Sequence, residues 1–188
     1  MLKGNNIYLR LLEKKDIGIL YKISNEEKVK RYNAIPTDIQ NSNQGTNLRN
    51  ALSIINERNV LVGFITYKES NYCKGIYSIG ITIGSKYWGR KYGQDAIKTL
   101  LKYLFEDLDA IKIELEVIKS NLRAINCYKK CGFIEECVKR NKIYIEDEYV
   151  STMIMGILRE DVTDIWEVEV KMKYEYKIYL RKSRNRKK

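Results

Sequence analysis

A chain of 188 residues, 44% hydrophobic and 31% charged, can bury one sizeable core and has the make-up of a globular protein. It has no run of about 18 apolar residues and no charged-then-apolar leader at its start, which argues against a helical span and leads us to expect a cytoplasmic location. The formal net charge is +11, but the last eight residues, Arg181 to Lys188, carry six of those positive charges without an acid, and histidine is absent, which removes His-based triads and the usual neutral-pH base.

In chain order, Ile7 to Leu12 reads as a strand with Ile7, Leu9 and Leu11 on one side. Glu13 to Arg31 has helical spacing at Ile17, Leu20, Tyr21 and Ile23. Tyr32 to Gly45, with Pro36 and several Asn, Gln and Ser, reads as a loop, and Leu48, Leu52 and Ile55 predict a second helix after it. Val60 to Tyr67 reads as a strand, and Ser70 to Gly75 as a hairpin turn.

The stretch Ile76 to Phe105 organises the rest. Strand-forming Ile76, Tyr77, Ile79, Ile81 and Ile83 lead through the turn Trp88-Gly89-Arg90-Lys91-Tyr92-Gly93 into a helix with Ile97, Leu100, Leu101, Leu104 and Phe105 on one face. Such a turn aims the free N–H groups of the helix start, with the positive end of its dipole, at one point. Arg90 and Lys91 add full charges there, a combination suited to a phosphate-bearing ligand. A P-loop is excluded, since no Gly-Lys-Ser or Gly-Lys-Thr follows, and the glycine spacing does not fit the dinucleotide fingerprint.

Ile111 to Lys119 alternates strictly, Ile111, Ile113, Leu115 and Val117 inward and Lys112, Glu114 and Glu116 outward, the pattern of a half-buried strand. A short helix follows, capped by Ser120 or Asn121 and closed by Gly132. Phe133 to Val138 and Ile143 to Leu158 read as strands around the turn Glu146-Asp147-Glu148. The four cysteines, Cys73, Cys127, Cys131 and Cys137, form no Cys-x-x-Cys pair, so reduced thiols are expected rather than a metal site. Elements and order predict a mixed α/β fold.

Trp166 to Leu180 alternates apolar and polar residues without a break, which predicts an extended strand of roughly 50 Å. Its apolar stripe needs a cover, either a second subunit or its own domain. The basic run Arg181 to Lys188 suits a solvated tail or a nucleic-acid or ribosome contact.

Two segments, WGRKYGQDAIKTLL and SNLRAINCYKKCGF, resemble the acetyl-coenzyme A binding core of the GNAT family of N-acetyltransferases, and YIEDEYVSTMIMGILRED resembles the closing strand of its RimJ/RimL-type subgroup. The resemblance covers about residues 7 to 161. It implies a mostly antiparallel splayed sheet flanked by helices over residues 1–161, and the β extension over 162–180 and the basic tail over 181–188 lie beyond it. The pantetheine arm would lie against Ile81, Thr82 and Ile83, and the pyrophosphate on Arg90, Lys91, Tyr92, Gly93 and Gln94. Asn121 and Asn126 match positions that cap the helix or touch the coenzyme arm. Tyr128 matches the tyrosine that gives a proton to the leaving sulfur as general acid, with a core tyrosine as the competing reading. Lys91 stands where the family turn has its middle glycine.

The implied reaction is direct attack of a neutral amine on the thioester, with no metal. The acceptor is a protein N-terminus or a small amine, and no base is assigned; Glu27, Asp38 and Glu69 lie in segments that border the acceptor cleft. The alternative is a GNAT-like domain that binds coenzyme A without turnover, as a sensor or ribosome-associated adaptor.

Overall fold

The computed structural model describes residues 1–33 and 50–162. These form one sheet in the order β1-β2-β3-β4-β5-β6-β8-β7. The strands are β1 Leu2–Lys3, β2 Ile7–Leu11, β3 Ala51–Asn56, β4 Leu61–Glu69, β5 Ile76–Ile83, β6 Lys112–Ile118, β7 Ile134–Ile145 and β8 Glu148–Leu158. Helices α1 (Lys14–Ser24), α2 (Glu27–Lys30), α3 (Tyr92–Glu106) and α4 (Leu122–Lys129) cover the sheet. Neighbouring strands run antiparallel except β5 and β6, which are parallel.

Period sets the layers. Along α3 the residues Ile97, Leu100, Leu101, Leu104 and Phe105 fall on one face and pack on Leu9, Ile54, Ile65, Ile113 and Met155 in the larger core. A smaller cluster on the other face joins Leu20 and Ile23 of α1 to Ala51 and Phe64.

Two buried carboxylates pin these layers. Asp95 of α3 accepts the backbone N–H groups of Asn5, Asn6 and Ile7 at 3.0, 2.6 and 3.1 Å, tying the β1–β2 turn to the helix. Gly4 is required there, because a Cβ would lie 2.7 Å from Thr99 Oγ1 and 2.9 Å from Asp95 Oδ1. Asp16 of α1 takes both guanidinium nitrogens of Arg10 (2.6 and 2.9 Å) and the hydroxyl of Ser53 (2.8 Å). Those bonds, Arg10 first, hold its carboxyl at about 2 despite the opposing effect of burial.

Several expectations change. The predicted second helix is strand β3: all six residues from Ala51 to Asn56 are buried, so the run lies between two covered faces and shows no polar side by which its period could be read. The long helix Glu13 to Arg31 divides at Asn25, whose side-chain amide bonds the Tyr21 carbonyl (2.9 Å), while Glu26 turns to accept the Ser85 N–H (2.7 Å). Ile111 precedes β6 and is 61% exposed instead of inward. The strand predicted over Phe133 to Val138 runs on to Ile145 as β7, with bulges between Glu135 and Cys137 and between Lys139 and Ile143, and the one predicted over Ile143 to Leu158 is divided at Glu146 and Asp147, so that only its Glu148–Leu158 part is β8. The loop from Ala34, Asp38, Leu48, the C-terminal extension and the basic tail lie outside the described residues.

Candidate functional site

Strands β5 and β6 pair over only three registers, Ile76 with Lys112, Tyr77 with Ile113 and Ser78 with Glu114. Beyond them β6 continues along β8 as far as Ile118, and Ile79–Ile83 of β5 runs on without it. The gap opens into a cavity of about 1030 Å³ lined from β5, β6, α2, α4 and the turn before α3. Gly84 donates to the Val62 carbonyl (2.9 Å), which sets the ladder's alternation. The peptides of Gly80 and Thr82 therefore bond β4, while those of Ile79, Ile81 and Ile83 face the gap. Thr82 also turns its hydroxyl to Asn33 Oδ1 (3.1 Å).

At one end of the gap the chain turns through Ser85–Tyr87 into α3. Gly89 adopts φ 76°, the left-handed region that glycine enters without strain. Lys91, the residue before α3, adopts φ 63° as well, at about 1–2 kcal/mol for a residue with a Cβ. No side chain caps this helix start, so its first N–H groups point outward beside Gly93. A Cβ on Gly93 would meet only Cys127 Sγ at 3.7 Å and Ile83 Cγ1 at 3.9 Å, ordinary contacts. The fold alone does not demand glycine there.

Lys91, Tyr92, Gly93 and Gln94 all line the cavity, as do Ile81, Thr82, Ile83, Asn121, Asn126 and Tyr128; Arg90 does not. Trp88 closes the corner: its indole N–H donates to the Ile83 carbonyl (2.8 Å), and the Arg123 guanidinium lies over its ring, 3.2 Å from the centroid.

Helix α4 forms the opposite lip. Asn121 is buried, and its side-chain oxygen accepts the Ala124 N–H (3.2 Å) as an N-cap, which starts the helix at the cavity wall. Tyr128 packs edge-on against Phe133 (6.0 Å between centroids), and burial pushes its phenol up, so the hydroxyl keeps its proton. No hydrogen bond to its hydroxyl occurs among the described residues, which leaves it for a ligand. Cys127 and Cys131 lie one helical turn apart; the Cys131 thiol donates to the Gln94 carbonyl (3.8 Å), and the interaction between the two thiols lowers Cys127 and raises Cys131.

The third wall is the far face of β6. Glu114 and Glu116 border the cavity, although their alternation with Ile113, Leu115 and Val117 marks them as outward. Their face is outward from the main core, yet the splay and α2 turn it into a wall. Lys142 Nζ sits 2.6 Å from both oxygens of Glu116, the Thr152 hydroxyl donates to the same carboxylate, and Lys139 Nζ is 3.8 Å away. Burial acts to raise Glu116, but the bonds from Lys142 and Thr152 outweigh it and hold the carboxyl below its usual range. Glu114 lies 3.7 Å from Lys112. Of the three acids in segments expected near the cleft, Glu27 is exposed and away from the cavity, Glu69 accepts the Gly75 N–H (2.9 Å), and Asp38 lies outside the described residues.

The lining thus carries Lys68, Lys91, Arg123, Lys130 and Lys139 against Glu114 and Glu116. A long ligand with a phosphate-bearing end, an extended arm along the free edge of β5 and a reacting end near Tyr128 fits this layout.

Comparisons with known proteins agree with the geometry. The family profile described as "Acetyltransferase (GNAT) domain" matches residues 6–134. A spermidine N(1)-acetyltransferase of Vibrio cholerae is 24% identical over an alignment of 165 positions that covers 83% of this chain and 95% of that protein. Among solved structures, a GNAT-family acetyltransferase from Bacillus anthracis superposes with a TM-score of 0.74 at 22% identity, over 85% of this chain and 98% of that one. The V. cholerae spermidine N-acetyltransferase in complex with CoA and spermine does so with 0.73 at 23% identity, over 83% and 97%.

Proposed function

This chain belongs to the GNAT acetyltransferase family and is an acetyl-coenzyme A dependent N-acetyltransferase, and from that premise we propose that its acceptor is an amine of low net positive charge, such as a protein N-terminus. The observation that carries this reading is the state of the acceptor-side wall: Glu116 is held by Lys142, Lys139 and Thr152, and Glu114 shares Lys112, at 3.7 Å, with Glu136, which takes it at 2.8 Å. A polyamine needs unpaired carboxylates for its second and third charges, and a neutral or singly charged acceptor does not.

Acetyl-coenzyme A suits the residues at the other end. In this reading Ile81 and Ile83 offer backbone groups to the pantetheine arm, and Thr82 supports the strand through β4. The start of α3 at Tyr92, Gly93 and Gln94 receives the pyrophosphate, aided by the Lys91 ammonium, while Arg90 adds only longer-range charge. Asn126 borders the arm, and Asn121 positions α4 by capping it.

Attack requires a neutral amine, and the two glutamates that border the cavity among the described residues, Glu114 and Glu116, each have a lysine within 4 Å. The acceptor's own pKa then matters. An α-amine near 7.7–8.0 is partly neutral at pH 7, whereas a lysine-like amine near 10.4 is almost wholly charged. Tyr128, with its phenol raised by burial, holds the proton that the departing thiolate takes. The resemblance of residues 144–161 to the RimJ/RimL subgroup supports the same class of acceptor.

Thiol release from acetyl-coenzyme A tests this with three acceptors: a peptide with a free N-terminus, the same peptide blocked, and spermidine. The free peptide is expected to have the highest kcat/KM and the blocked one none. Spermidine as the preferred acceptor would overturn the proposal, and so would silence with all three in a protein that binds acetyl-coenzyme A.

A further inference from the structure

The two bulges of β7 do the same mechanical work with opposite charges. At the first, Glu136 crosses β8 at Gly156, where a Cβ would lie 2.3 Å from its carboxylate, and meets Lys112 of β6 at 2.8 Å. Neither Glu136 nor Lys112 borders the cavity, so this pair is a strap between strands. At the second, Asn141 takes φ 50° and donates its N–H to Ser151 Oγ (3.1 Å). That kink sends Lys142, which like Lys112 does not itself border the cavity, over β8 at Thr152 to Glu116, which does.

We propose that Lys142 is a specificity-determining residue: its ammonium fills the carboxylate of Glu116 and denies that carboxylate to the second ammonium of a polyamine. The contact has the form a primary alkylammonium ligand takes, one nitrogen on two carboxylate oxygens at 2.6 Å with the Thr152 hydroxyl completing the group. Because Lys142 belongs to the same chain, it competes at a high effective concentration that a dissolved amine must exceed. The Glu116 side chain is 17% exposed, close enough to the surface for exchange and deep enough for the exchange to matter.

This inference rests on the acceptor reading above, and its test has a readout of its own. In the full chain, Lys142→Met is expected to raise kcat/KM for spermidine relative to the N-terminal peptide by roughly three- to tenfold, through KM. Calorimetry with coenzyme A present should show spermidine binding tighter by the same factor. Lys142→Arg, which keeps the charge, should keep the parental preference, and adding Glu116→Gln to Lys142→Met should abolish the gain. Should Lys142→Met not fold, Lys142→Gln removes the same charge. An unchanged spermidine affinity in the folded variant, or an equal change in kcat for both acceptors at constant KM, would overturn the assignment. If no amine is turned over at all, the acceptor reading falls, while the spermidine affinities still decide the role of Lys142.

Discussion

The two ends of the cleft handle charge in opposite ways. At the start of α3, Lys91 faces the cavity without an ion pair among the described residues, beside a helix end that no side chain among them caps, and a left-handed lysine is tolerated there. Around Glu116 each charge is already answered by a neighbour. A site left unbalanced by its own residues takes its counter-charge from a ligand, in the proposed reading the diphosphate of the coenzyme. A site that balances itself selects a ligand with little charge to add.

The largest effect that would sharpen this contrast comes from the residue between the two ends. Tyr128→Phe is expected to lower kcat by about a hundredfold or more and leave acetyl-coenzyme A affinity unchanged, measured by thiol release and calorimetry. Equal losses in both would make Tyr128 a packing residue.

Gly93→Ala follows. The fold accommodates the methyl at 3.7 Å, and alanine favours a helix by up to about 1 kcal/mol, so the melting temperature should hold or rise. Acetyl-coenzyme A affinity should meanwhile fall by about tenfold as the methyl meets the phosphates. A variant that binds normally would break the assignment of that end.

Lys91→Gly releases the left-handed strain and should stabilise the fold by about 1 kcal/mol in denaturant titrations, with a few-fold, salt-sensitive loss of coenzyme affinity. Unchanged affinity would mean that the ammonium contributes nothing to the ligand.

The smallest expected effect is a null result at the other end. Because Glu116 lies below its usual range, it is ionised throughout the neutral region, so spermidine affinity should stay flat between about pH 5 and 7. A sharp weakening on mild acidification would show that a carboxylate with a raised pKa, and not a balanced Glu116, holds the amine.

What could be read in advance follows the range of the interactions involved. The β5–turn–α3 unit and the capped α4 were legible because their signals are local: glycine at the turn, apolar spacing along α3, Asn121 three residues before Ala124. Strand β3 was not, since a run buried on both faces carries neither period. Glu114 and Glu116 were visible as an alternating polar face, but alternation only separates two sides of a strand and does not say what stands opposite each.

From the amino-acid order alone came the α/β class, the phosphate-suited helix start, Tyr128 and the resemblance that named the reaction, because each depends on residues a few positions apart. The tertiary structure decided that β6 leaves β5 after Ser78, that the outward face of β6 becomes a cavity wall, and that two bulges send Glu136 and Lys142 across a strand to opposite partners. Those contacts join residues 24 and 26 positions apart through a third strand, and no periodicity along the chain encodes which charge a bulge will place against which.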